Sequence, residues 1–206
     1  MTDPTVRAAA ARRGIWLAYF TIAYNFAESV LSLGAGLVAG SVALVGFGID
    51  SAIEVTSALA ARWRLGRDFD EAGRERVELI AHRIIGWCFV LLSVYVAGDS
   101  VHSLISREKP EASLVGVLVL IASIVVMPIL ARAKRKVAMT LRSGALASEA
   151  KQTSLCAYLS AIALVGVGAN ALMGWWWADP VAALAMVPII GLEGLEGIRA
   201  ARQVSA

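Results

Sequence analysis

The sequence is short of charge, of cysteine and of histidine. Only 17% of its 206 residues are charged, against about 25% in a typical soluble domain. Its two cysteines, Cys88 and Cys156, both fall inside apolar runs, which argues against a disulfide framework. No basic stripe with interleaved aromatics is present, so no nucleic-acid partner is expected. The polar, basic stretch from Met1 to Arg13 leads straight into a full-length apolar run. No small-residue cleavage pattern follows a short apolar core, so no removable signal peptide is expected.

What is abundant is apolar sequence. Hydrophobic residues make up 58% of the chain, against about 45–50% in soluble domains, and the mean hydropathy is +0.70. The apolar residues form long runs, each near the ~20 residues needed to cross a bilayer. They are apolar nearly all round, unlike the one-faced helices of a soluble core. The predicted fold is an all-α membrane protein of six transmembrane helices. The spans run from Gly14 to Leu37, from about Val42 to Ala61, Leu79 to Ile105, Leu114 to Ala131, Leu146 to Met173, and Trp175 to Ile198. Residues 1–13 form an N-terminal tail, 14–199 the six-helix domain and 200–206 a short C-terminal tail, with no soluble C-terminal domain expected.

The basic residues give the orientation. Arg7, Arg12 and Arg13 precede the first span, and Arg62, Arg64, Arg67, Arg74, Arg76 and Arg83 lie in or beside the second link. Arg132, Lys134, Arg135, Lys136 and Arg142 fill the fourth link, and Arg199 and Arg202 end the chain. Six crossings put all of these on one side and leave only Arg107 and Lys109 on the other. The positive-inside rule then makes both termini cytoplasmic. Trp175, Trp176 and Trp177 fall at the outer interface, where indole rings anchor.

Ionisable groups inside a bilayer cost several kcal/mol unless paired, neutralised or hydrated, so each is a functional candidate. Asp50 and Glu54 lie mid-span at i, i+4, one turn apart on one helical face, with no Lys or Arg expected at their depth. Glu149, Gln152 and Cys156 share a face of the fifth span by their i, i+3, i+7 spacing. Antiparallel packing of the second and fifth spans would set Asp50 against Cys156 and Glu54 against Gln152. Two carboxylates, an amide oxygen and a thiolate make a tetrahedral cation site that favours zinc, cadmium or cobalt over magnesium or calcium. Alternatively, Cys156 is an apolar filler and Gln152 an interhelical hydrogen bond.

Asn25 and Glu28 share a face of the first span, where they support such a site, line its approach or join helices. Asp99 and His102 are a candidate access pair near the outer end of the third span, or snorkel to the interface. Asp179 and Pro180 read as an N-terminal cap and first-turn proline of the sixth span. Gly36 and Gly40 have the spacing that lets helices approach closely. The glycines of 191–197 mark no more than a helix end.

Gly40-Ser-Val-Ala-Leu44, followed by Gly48-Ile-Asp-Ser-Ala-Ile-Glu54, resembles the second helix of the cation diffusion facilitator (cation efflux) family. Ser148-Glu-Ala-Lys-Gln-Thr-Ser-Leu-Cys156 resembles its fifth helix, and Ala178-Asp-Pro180 the start of its sixth. The resemblance runs over about residues 14 to 199. It implies export of divalent transition metals, usually against protons, by a homodimer in a bacterial inner membrane. The family's four-ligand site maps onto Asp50, Glu54, Gln152 and Cys156. The family usually carries histidine or aspartate, then aspartate, where this chain has Gln152 and Cys156. No resident cofactor is implied; the metal is cargo. A membrane metal sensor or partner subunit that binds without transporting is the alternative. An enzyme built on Cys156 would need a base, and neither histidine lies at its depth.

Overall fold

The computed structural model describes residues 4–65, 71–141 and 143–204. Among them are six helices and no strand: α1 (Pro4–Ala39), α2 (Val42–Leu65), α3 (Glu71–Ser106), α4 (Leu114–Leu141), α5 (Gly144–Met173) and α6 (Ala178–Val204). All six are long and apolar enough to cross a membrane. Residues 66–70 of the charged second link, Arg142 of the basic run and the chain ends at 1–3 and 205–206 lie outside the described residues.

The helices outrun the expected spans at the end of the bundle that carries the termini. α1 has 36 residues, roughly 54 Å at 1.5 Å per residue, against a hydrocarbon core of about 30 Å. Residues 4–13, expected as a tail, are therefore its first turns. α3 begins at Glu71 rather than Leu79, so much of the charged second link is helix. α4 runs on to Leu141, so Arg132 to Lys136 ride on a helix and are not a loop. α6 starts at Ala178. The three tryptophans thus belong to the α5–α6 link, where Trp175 and Trp177 stack with ring centroids 5.3 Å apart.

α1 with α2, α3 with α6 and α4 with α5 form the principal helix pairs, and α2 also packs on α3, α5 and α6. α2 is the central helix: 72% of its span is buried, against 28% to 39% for the other five. Small residues make this closeness possible. A Cβ on Gly36 would lie 2.8 Å from the backbone of Val45, and one on Gly86 2.8 Å from the carbonyl oxygen of Gly194. Gly194, expected only to mark a helix end, is thus a close contact between α6 and α3. Gly40 instead turns the chain. Its φ of +65° ends α1, and the Ser41 amide donates to Gly36 O at 2.9 Å, a glycine-terminated helix end.

Ser41 then caps α2, its hydroxyl accepting from Leu44 N at 3.1 Å. It also donates to Asp179 Oδ1 at 2.5 Å, while Asp179 Oδ2 accepts from Val42 N at 2.9 Å. Asp179, expected to cap α6, is wholly buried and caps α2 from across the bundle. A carboxylate at the amino end of a helix answers its free N–H groups and its dipole.

α4 shows how the bundle meets lipid. Leu114, Leu118, Ile121, Val125 and Ile129 form an exposed apolar stripe, and Leu120, Ser123, Met127, Leu130 and Lys134 a buried one. The apolar outside and partly polar inside suit a lipid surround.

Candidate metal centre between α2 and α5

Asp50 and Glu54 hang from the middle of α2 and are 5% and 3% exposed. α5 crosses beside them and brings Cys156, which is 1% exposed. Cys156 Sγ is near enough to both carboxylates to feel their charge. It lies 3.9 Å from Glu28 Oε2, which reaches in from α1. That same oxygen accepts from Ser51 Oγ on α2 at 2.9 Å. Three carboxylates and a thiol from three helices thus share one buried volume. Cys88, on α3, is half-buried, and both cysteines are free thiols.

The expected pairing of Glu54 with Gln152 gives way to a neighbour. Glu54 Oε1 accepts from Thr153 Oγ1 at 2.5 Å, while Gln152 Oε1 accepts from Ser57 Oγ at 2.5 Å. One residue along a helix is about 100° of rotation, enough to carry Gln152 off the Glu54 face. Gln152 and Asp50 instead line a cavity of about 10 Å³ with Phe89, Leu155, Ile190 and Glu193, space for about one water. Glu193, absent from the sequence candidates, thereby reaches the approach to Asp50. It is held 3.2 Å from Lys151 Nζ, which also pairs with Glu196.

The absence of a nearby cation, expected from the sequence, is corrected by Lys134. Its ammonium is 2% exposed and lies 2.9 Å from Glu149 Oε1 and 3.8 Å from Glu54 Oε1. It also donates to Thr153 Oγ1 at 2.8 Å. Lys134 looked like part of a basic loop. It is inside because α4 does not stop at Ala131, and because the 120, 123, 127, 130, 134 spacing continues the buried stripe. That 3–4 periodicity was the signal that could have found it.

The remaining candidates divide. Asn25 is fully buried beside Glu28 on one face of α1, and neither its amide nitrogen nor its oxygen has a partner among the described residues. Buried amides are rarely left so. Asp99 and His102 each face a different partner. Asp99 accepts from Tyr95 Oη at 3.2 Å, and the exposed His102 faces Glu108 at 3.6 Å. Both stand apart from the α2–α5 cluster, His102 at the lipid-facing or aqueous surface.

Among the described residues, no three His, Cys, Asp or Glu side chains close round a common point as metal ligands would. Glu54 is held by Thr153 Oγ1 at 2.5 Å and faces Lys134 Nζ at 3.8 Å.

Residues 18–204 match the model of the cation efflux transmembrane domain. The chain is 24% identical over 173 residues to an uncharacterized transporter of the cyanobacterium Synechocystis sp., an alignment covering 81% of this chain and 56% of that protein. It is 25% identical over 100 residues to Transmembrane protein 163 of Xenopus laevis, covering 48% of this chain and 35% of the relative. This chain thus spans about half or less of the length of these relatives.

Proposed function

We propose that this chain, which belongs to the cation efflux family, moves divalent transition-metal cations across a membrane through a site between α2 and α5. One observation carries the reading. Asp50, Glu54 and Cys156, contributed by two helices, lie together with Glu28 in the buried centre of a six-helix bundle. Carboxylates gathered in a bilayer interior are expensive without a cation to balance them, and a thiolate beside them favours zinc, cadmium or cobalt.

In this reading Asp50, Glu54 and Cys156 are direct ligands. Gln152 completes the shell by a turn of its side chain away from Ser57. Asn25 and Glu28 steady the ion from the α1 side. Ligands must lose protons to bind metal, so protons and metal exclude one another at this site. Exchange of the two on opposite faces, as the bundle rocks around a midplane site, gives proton-coupled antiport. The basic residues at the end bearing the termini make that end cytoplasmic, and the cation efflux family match supports efflux as the physiological direction. A homodimer in a bacterial inner membrane fits the family and the cyanobacterial relative.

The test is flux into proteoliposomes holding a pH dye, with zinc, cobalt, cadmium and manganese each presented to wild type and to Asp50→Ala. Metal uptake with opposing proton movement, abolished by Asp50→Ala, is expected. Folded protein that binds metal without moving it would sink the reading and leave a metal-binding sensor or partner subunit.

A further inference from the structure

Lys134 is the one buried cation among the described residues, and its surroundings are those of a bound ion. Glu149 Oε1 lies at 2.9 Å, Thr153 Oγ1 at 2.8 Å and Glu54 Oε1 at 3.8 Å. Buried charge of this kind persists only when paired and hydrogen-bonded. Glu149 alone would suffice as the lysine's counter-ion. Glu54 is therefore shared between two demands: the ammonium on one side, and Asp50 and Cys156 on the other.

We infer that Lys134 is a tethered counter-cation that competes with the transported metal for Glu54. When metal arrives, Glu54 leaves the ammonium to complete the Asp50–Cys156 shell, and Lys134 stays with Glu149. This inference rests on the transport reading above. Two features support it. Charge is nearer balance in the loaded arrangement: Lys134 cancels Glu149, and Asp50, Glu54 and the Cys156 thiolate outweigh a divalent ion by one charge, against two uncompensated carboxylates without the metal. The hydrogen bonds also have somewhere to go. Thr153 carries a single hydroxyl proton, now given to Glu54 at 2.5 Å, and the carbonyl oxygen of Glu149 stands 3.1 Å from the same hydroxyl. Rotating that proton satisfies Thr153 once Glu54 departs. The role is one of positioning: the ammonium sets how tightly, and how reversibly, Glu54 holds the ion.

The test measures zinc affinity of the purified full chain by chelator competition, with zinc flux in parallel. Glu149→Gln leaves the ammonium with Glu54 alone, and zinc binding weakens by about tenfold or more, a figure set by Coulomb attraction at this range. Lys134→Gln combined with Glu149→Gln removes the competitor without stranding a charge. Zinc then binds at least about fivefold more tightly than to wild type, and turnover falls because release slows. Thr153→Val, which cuts the lysine–threonine–Glu54 link at nearly constant volume, shifts affinity the same way and serves if the double variant does not fold. A merely structural lysine moves neither affinity nor the KM-to-turnover balance in opposite senses. A double variant or Thr153→Val protein that is folded and binds zinc no tighter than wild type overturns the inference. Wild-type protein that binds no zinc, or an Asp50→Ala variant that binds it unchanged, overturns the transport reading and this inference with it.

Discussion

Asp179 offers a perturbation whose size can be worked from contacts alone. Its carboxylate sits fully buried at the start of α6 yet serves α2, taking hydrogen bonds from Ser41 Oγ at 2.5 Å, Val42 N at 2.9 Å and Ala43 N at 3.5 Å. Asp179→Ala leaves the Ser41 hydroxyl proton and the Val42 amide buried without acceptors, at about 1–3 kcal/mol each. The summed cost is about 2–4 kcal/mol, since the two groups share one lost partner and the site relaxes in part. For a chain of this length about 2–4 °C of Tm accompanies each kcal/mol. The expected fall is therefore about 4–16 °C, read by thermal unfolding in detergent through tryptophan fluorescence. Ser41→Ala alone removes the α2 cap and costs about 1 kcal/mol. The decisive quantity is the double-mutant cycle. If Asp179 acts through Ser41 and α2, the two losses overlap by about 1–2 kcal/mol. If it capped only its own helix, they would add to within about 0.5 kcal/mol. Additive losses would refute the cross-bundle cap. They would also remove the clamp that ties α6 to α2, the helix carrying Asp50 and Glu54.

Two further outcomes follow from packing and from ligand chemistry. Gly86→Leu drives side-chain atoms into the Gly194 carbonyl and the Ile198 backbone, both within 2.9 Å of a Cβ at that site. It should lower Tm by an overpacking cost of about 1–3 kcal/mol, whereas Gly34→Ala, with nothing within 4 Å, should not lower it. Metal affinity should fall as pH falls, because protons compete for Asp50, Glu54 and Cys156. Isothermal titration over a pH series should show Kd rising about tenfold per pH unit for each proton displaced.

Much of the architecture is legible in the sequence because the bilayer imposes a length and an all-apolar surface on each span. The six runs follow from that alone, and the face of α5 that carries Cys156 follows from its i, i+3, i+7 spacing. The helix ends do not. Charged turns at 71–78 and 132–141 read as links because charge ends a hydropathy run, yet helix continues wherever backbone hydrogen bonds can. That one error hid Lys134, whose position on the buried stripe of α4 was readable only if the helix was extended. Gln152 departs from its expected contact with Glu54 for a different reason. Spacing names a face of α5 but not its rotation against α2, and a turn of one residue exchanges Gln152 for Thr153. Asp179 was assigned to its own helix because local capping is what sequence can display, whereas its partners Ser41 and Val42 are 137 or more positions away.

The most direct test of the site is X-ray absorption at the zinc edge of zinc-loaded protein. An ion held by Asp50, Glu54 and Cys156 shows one sulfur at about 2.3 Å among lighter ligands. That sulfur disappears in Cys156→Ser and remains in Cys88→Ser. A wild-type shell without sulfur, or a sulfur that survives Cys156→Ser, would contradict the account.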